Sequence, residues 1–317
     1  MDKSPTTDSA TSPQVGELIK VQLALNWFPE IEHGGYYEAV LKGYYEQAGL
    51  KVEILPGGPD APVIQRVGTE RIAFGIANAD PVIFARAEQV PIVALFCPIQ
   101  HSPRCLVVHA ASPVKTFDDL HDLTLAMNDS NAFAQYLRFK VPLTNVRIVR
   151  YSGSVAMFLA DPNFVQQGYN FSEPLIARQK GAQVRNLMLS DIGFDAYTSL
   201  LMTHDNYQKS HPEVVQKMIA ASRRGWESYL AQPEATNAYI HELNPEIDLE
   251  ILNAGTRELV PLCKMDDAPT GSPAPVYGSM EATRWTKLIS QMKEAKVIAS
   301  DVNIPAEIAI TAESVAK

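Results

Sequence analysis

The chain has 317 residues, 46% of them apolar, with a formal net charge of −9 and a pI near 5.3. That is enough apolar material for one large or two moderate domains, and an acidic chain without a basic cluster is not a general nucleic-acid binder. No apolar run is long enough to cross a membrane. Three cysteines, Cys97, Cys105 and Cys263, fit neither a zinc spacing nor a disulfide-rich scaffold. Cys97 and Cys105 are near enough in sequence to pair, but buried thiols are the expectation.

Residues 1–16 are rich in Ser, Thr, Pro and Asp and read as a disordered leader or tether. They lack the basic and apolar regions of a signal peptide, which fits a cytoplasmic protein or a start from which such a peptide has been removed. From Ile19 to Leu95 strands alternate with helices, the pattern of a mostly parallel sheet, with strands expected at 19–26, 51–55, 72–76 and 91–96. The first strand is stopped by Pro29 and opens into a loop with Trp27, His33, two acids, and then Tyr36 and Tyr37 at a helix start. Pro56-Gly57-Gly58-Pro59-Asp60 and Asn78-Ala79-Asp80-Pro81 are further strand-to-helix loops, with Asp60 or Pro62 opening one helix and Asp80 as N-cap candidate of the next.

A second lobe is expected over 106–192, with strands at Cys105–Val108, Leu123–Met127, Val146–Tyr151 and Tyr169–Phe171. Asn128-Asp129-Ser130-Asn131 caps one helix, and Ser172-Glu173-Pro174 precedes another from Leu175. After a strand at Ser199–Thr203 the remainder is helical, broken by a Pro/Gly/Ser loop at 269–275. In an open α/β sheet, ligands bind beyond the carboxyl ends of strands, where these loops lie.

The run Leu25-Asn26-Trp27-Phe28-Pro29 with His33 and Tyr36, followed by Lys42-Gly43-Tyr44-Tyr45-Glu46-Gln47-Ala48-Gly49-Leu50, resembles the thiamine-pyrimidine-precursor binding family. Ser172-Glu173-Pro174 and Asp195-Ala196-Tyr197 leading into His211-Pro212-Glu213 extend the likeness over roughly residues 19–245. These are solute-binding components of ABC uptake transporters, related to alkanesulfonate and nitrate binders. The resemblance implies a two-lobe α/β fold of the type II periplasmic binding protein kind, with two crossings near 103–107 and 191–197. Lobe 1 would comprise 17–105 and 193–317, and lobe 2 106–192. It implies a monomer outside the cytoplasm, at a lipid anchor or free in the periplasm, handing a small heterocyclic ligand to a membrane permease, with no cofactor. Fungal relatives make the pyrimidine with pyridoxal phosphate and their own histidine. This sequence has no cluster of adjacent cysteines like theirs, and no lysine beside the motif within 26–41.

Trp27 offers a ring face for stacking a heterocycle, or else it is lobe core. Tyr36 is assigned to the cleft, with Tyr37 inward. Glu173 falls where the resembling proteins place an acid against the ligand's amino group; as plain helix chemistry, it is an acid favoured by the helix dipole. His33 is a ligand donor or, in the enzyme reading, a reactant. Asn78 and Asp80 add amide and carboxylate contacts unless Asp80 is occupied as a cap, and Asn128 and Tyr151 are their second-lobe counterparts. His101, His109 and His204 have no metal-ligand spacing, so no metal site is expected.

Overall fold

Val21 and Leu23 point inward and Lys20 and Gln22 outward, so Ile19–Ala24 forms the first strand, β1. The computed structural model describes residues 17–59, 61–266, 275–305 and 308–310. After β1 come α1 (Gly34–Leu41), α2 (Tyr44–Gln47), β2 (Leu50–Leu55), α3 (Val63–Gly68), β3 (Phe74–Ala77), α4 (Ala79–Ala87) and β4 (Ile92–Phe96). The chain then crosses to β5 (Arg104–His109), β6 (Thr124–Ala126), α5 (Ala132–Lys140), β7 (Arg147–Val149), α6 (Ala156–Ala160), β8 (Phe164–Tyr169), α7 (Glu173–Gln179) and β9 (Val184–Met188). It returns through β10 (Leu200–His204) to α8 (Asp205–Ser210), α9 (Pro212–Ala231), α10 (Glu234–Leu243), α11 (Leu249–Leu259) and α12 (Ala282–Glu294).

Two five-stranded sheets result, ordered β2-β1-β3-β10-β4 and β7-β6-β8-β5-β9. Each is mostly parallel, and in each the strand that follows a crossing, β5 or β10, runs antiparallel to both neighbours. This is the expected two-lobed architecture. Several local expectations need correction. The strand placed at 169–171 is the end of β8, and its helix begins at Glu173, not Leu175, with Pro174 tolerated in the first turn. Asn78, not Asp80, is the N-cap of α4, and Asn131 is that of α5. Residues 1–16 and Asp60, and most of the loop expected at 269–275, lie outside the described residues.

Helix α9 buries Val214, Met218, Ile219, Ala221, Trp226 and Tyr229 on one stripe, and this stripe lies on α1. Gly35 and Gly225 make the crossing possible. A Cβ on Gly35 would overlap the Trp226 indole and lie 2.5 Å from its Cα, and one on Gly225 would overlap the Gly35 carbonyl. The two backbones therefore touch, which fixes how α1 presents the loop before it. Helix α12, within the stretch expected in the first lobe, bridges the two: its Trp285, Leu288 and Met292 share one apolar cluster with Val82 and Ile92 of one lobe and Leu106 and Leu125 of the other, and it packs on both α4 and α5. All three cysteines are buried and unbonded.

Among the described residues no helix is long and apolar enough to cross a membrane, and no three His, Cys, Asp or Glu side chains are grouped to hold a metal ion.

Candidate functional site

The loop after β1 turns inward. Pro29 ends the extended chain, and a 3-10 turn at Ile31–His33 runs into α1, leaving Glu30, Glu32 and His33 buried. One residue of the return crossing, Ser199, ties this loop down. Its hydroxyl donates to Glu32 Oε2 (3.0 Å), its amide N–H donates to Asn78 Oδ1 (3.1 Å), and its carbonyl accepts from Tyr36 Oη (2.9 Å). Ser199 is fully buried with φ +52°, a left-handed conformation held by these three bonds. His33 Nε2 lies 3.0 Å from Asn26 Oδ1 and 3.5 Å from Glu32 Oε1.

From the second lobe, Glu173 folds back over the end of β8. Tyr151 Oη donates to its Oε1 (2.5 Å) and the Tyr169 amide to its Oε2 (2.7 Å). Gly168 leaves the room: a Cβ there would sit 2.9 Å from Glu173 Oε2. The lobes meet where Asn78 Nδ2 donates to Tyr169 Oη (2.9 Å) and where Ser172 Oγ reaches Glu30 Oε2 at 3.5 Å. Phe171 completes the contact by packing within the first lobe's core cluster beside Ile31 and Leu252.

Between the lobes lies a cavity of about 520 Å³, lined at its polar end by Asn78, Asp80, Arg104, Asn131 and Tyr169. Phe133, Phe84, Ile64, Val90 and Val297 form apolar wall beyond them. Its size and mix of aromatic wall with few polar groups suit a small organic ligand. The Arg104 guanidinium sits over the rings of Tyr169 and Phe133, 4.3 and 4.7 Å from their centroids. A larger groove of about 780 Å³ runs over Lys20, Gln22, Lys51, Glu53 and Arg71. It is open and bordered largely by charged surface side chains, with Tyr207 and His204 contributing rings.

Burial governs the charges here. It raises the Glu30 carboxyl well above the usual range, helped by the charges of Glu32 and Glu173 and opposed by the Ser172 hydrogen bond. Burial lifts Glu32 to about 7 against the pull of the Ser199 hydroxyl and Arg104, and Asp80 to about 6 against the pull of Arg104. Burial also lowers His33 to about 3, so it is neutral across the ordinary pH range. Burial and the Glu173 charge push the Tyr151 phenol up, keeping it a donor.

Glu32 ties the stability of the fold to pH. The folded carboxyl keeps its proton to about pH 7, while the unfolded one releases it near 4.5. Its contribution is therefore complete below pH 4.5 and lost as pH rises through 7, a span of about 3 kcal/mol. His33, buried neutral, acts in the opposite sense as pH falls below 6.5, so the difference between variant and wild type is the quantity to follow. Glu32→Gln should flatten the fall in melting temperature between pH 4.5 and 7. Parallel melting curves across that range would show that Glu32 ionises freely.

The expected site residues are thus distributed over three settings. Asn78 and Asp80 line the cavity, and Glu173 and Tyr151 stand paired beside it, linked to it through Tyr169. Trp27 is half-buried, edge-on to Phe28 at 5.6 Å, with its carbonyl accepting from Gly57 N; it does not border this cavity. Asn128 is half-buried, its amide donating to Gln167 Oε1. Tyr36 does not face the cleft as expected: it is fully buried, edge-on to Trp226 at 5.7 Å, because α9 covers that side of α1. His33 lies equally deep. Sequence reasoning missed Arg104, Phe133, Tyr169 and Ser199. An arginine opening an apolar strand at a crossing, Arg104-Cys105-Leu106-Val107-Val108, was the one available signal.

The arrangement is that of a two-lobed protein with an interlobe ligand site. The solved structure of the periplasmic aliphatic sulphonate binding protein SsuA from Escherichia coli superposes with a TM-score of 0.70 at 14% identity, covering 91% of each chain, and shows the same fold. Residues 30–236 match the model of the family described as NMT1/THI5 like, and the chain belongs to that family. It is 24% identical to the riboflavin-binding protein RibY of Chloroflexus aurantiacus, covering 95% of this chain and 88% of that one. The formylaminopyrimidine-binding protein of Halalkalibacterium halodurans is 22% identical, over 93% and 92% of the two chains. A 4-amino-5-hydroxymethyl-2-methylpyrimidine phosphate synthase of Aspergillus parasiticus matches at 22% over 71% of each chain.

Proposed function

We propose that this chain is the solute-binding protein of an ABC uptake transporter, and that its lobes close on an aminopyrimidine precursor of thiamine for delivery to a membrane permease. In this role it works outside the cytoplasmic membrane, as a monomer, free or lipid-anchored, with lobe 1 formed by 17–105 and 193–317 and lobe 2 by 106–192. The observation that carries the reading is the Glu173 carboxylate, fixed by Tyr151 and the Tyr169 amide beside an aromatic-walled cavity. A carboxylate held so accepts the N–H donors of an aminopyrimidine and repels a sulfonate or nitrate. The NMT1/THI5-like membership and the formylaminopyrimidine-binding relative support it.

Binding without catalysis is supported by the setting of His33. It is fully buried, neutral and engaged with Asn26, and no lysine lines the cavity among the described residues. A flavin is the second reading, favoured by the apolar lining that Phe84, Val90 and Val297 add to the cavity, and by the RibY relative.

Calorimetric titration with formylaminopyrimidine and riboflavin tests both. Trp27 stands outside the cavity wall, next to Asn26 on the strand-end loop, and is read as the ring face that meets the ligand when the lobes close on it, so Trp27→Ala should weaken binding by roughly 5- to 150-fold, the worth of about 1–3 kcal/mol of stacking. Absence of binding to either compound ends the proposal, and unchanged affinity in Trp27→Ala returns that residue to loop packing.

A further inference from the structure

We propose that Arg104 is a specificity-determining residue that docks a hydrogen-bond acceptor of the ligand, a carbonyl or carboxylate, so that the site takes heterocycles with donors at one end and an acceptor at the other. This rests on the reading of the cleft as a heterocycle site and names the second half of its recognition.

Arg104 is the first residue of β5, paired in register with Tyr169 of β8, so its base is a rigid sheet. Its guanidinium lies over the rings of Tyr169 and Phe133, which hold it by cation–π contact at the wall of the cavity that it lines. A guanidinium has five N–H donors. Among the described residues the side chain makes one hydrogen bond, from Nη2 to Tyr169 Oη at 3.2 Å, and forms no ion pair within 4.0 Å.

The carboxylates of Asp80, Glu173 and Glu32 influence it only at longer range. The protein thus keeps a cation at the cavity wall without supplying the acceptor such a cation requires. An oxygen acceptor on the ligand completes it, a carboxylate through two parallel N–H···O bonds and a carbonyl through its single oxygen. Glu173, which accepts from the amide of the same Tyr169, is the acceptor proposed for the donors of the molecule. The same pairing explains how an acid-rich cleft can discriminate among uncharged rings: the substituent, not the net charge, is read.

The test is calorimetry on the full chain with two 4-aminopyrimidines that share one ring. One carries a formylaminomethyl group, and the other an n-butyl chain of similar length. Wild type should favour the formyl compound by roughly tenfold or more, Arg104→Gln should lose that preference while binding the butyl compound within about threefold of wild type, and Arg104→Lys should keep part of it. The lysine variant retains charge and guards against a folding defect, which thermal melting of both variants also reads. Equal binding of the two compounds by wild type, or a preference that survives in Arg104→Gln, overturns the assignment. If neither pyrimidine binds wild type, the pyrimidine reading fails by itself. Riboflavin, whose ring system carries carbonyls, is then the probe, and an affinity that Arg104→Gln leaves unchanged overturns the role of Arg104.

Discussion

Glu173→Ala is expected to weaken aminopyrimidine binding by roughly ten- to a hundredfold, with a smaller loss for Glu173→Gln. A hydrogen bond to a charged group contributes about 1.5–3 kcal/mol, and this carboxylate offers the ligand the lone pairs left free by Tyr151 Oη and the Tyr169 amide. Removing it also frees the Tyr151 hydroxyl, whose partner at 2.5 Å is lost, and loosens the end of β8 that carries Tyr169. The glutamine variant keeps the shape but turns an amide NH₂ toward one of two existing donors, so it loses both charge and one internal bond. Affinity measured by calorimetry should fall in the order wild type, Gln, Ala. An anion site would respond in the opposite sense: removing a negative charge would tighten sulfonate binding. Tighter sulfonate binding together with unchanged pyrimidine binding in Glu173→Ala would therefore defeat the proposed ligand class.

Gly35→Ala should destabilise the protein by about 3 kcal/mol and lower its melting temperature by roughly 6–12 °C. The added methyl meets the Trp226 indole and, at 2.5 Å, the Trp226 Cα, which belongs to the α9 backbone. A side chain can rotate away; a helix backbone has to translate. Since α1 begins immediately after the 3-10 turn bearing Glu30, Glu32 and His33, such a translation also displaces the first-lobe side of the cleft. Ligand affinity should fall with stability. A melting temperature within about 2 °C of wild type would mean that the crossing is looser than described.

The strand-end loops were legible because their signals are local: Pro29 after an alternating strand, Asn78 before a helix with Pro81 in its first turn, Ser172-Glu173-Pro174 at the start of α7. β9 was not, since only Leu187 of its five residues is fully buried and the strand lies at a sheet edge, where alternation is weak. Tyr36 and Tyr37 look equally suited to a cleft, and only the arrival of α9, some 190 residues later, decides that Tyr36 is core. The burial of Glu30 and Glu32 is likewise tertiary, since nothing local to the loop encloses its two acids and contacts from the second lobe and Ser199 do. Arg104 depends on Phe133 and Tyr169, distant along the chain, and no spacing announces such a meeting. Nor does the sequence around Gly34-Gly35 announce the close crossing of α1 with Trp226 and Tyr229 of α9 that the pair permits.

Phe171 comes from the second lobe but is buried in the first, with its carbonyl 2.5 Å from where a Cβ on Gly255 would lie. Parting the lobes withdraws that ring from its apolar socket, and burying a side chain of this kind is worth about 2 kcal/mol. In the proposed role, that cost would by itself weight the empty protein roughly thirtyfold toward the closed arrangement. A population already poised in the binding-competent state leaves most of the ligand's own interaction free energy to appear as affinity. A small molecule with few contacts can then be held tightly by lobes that need little persuading to close.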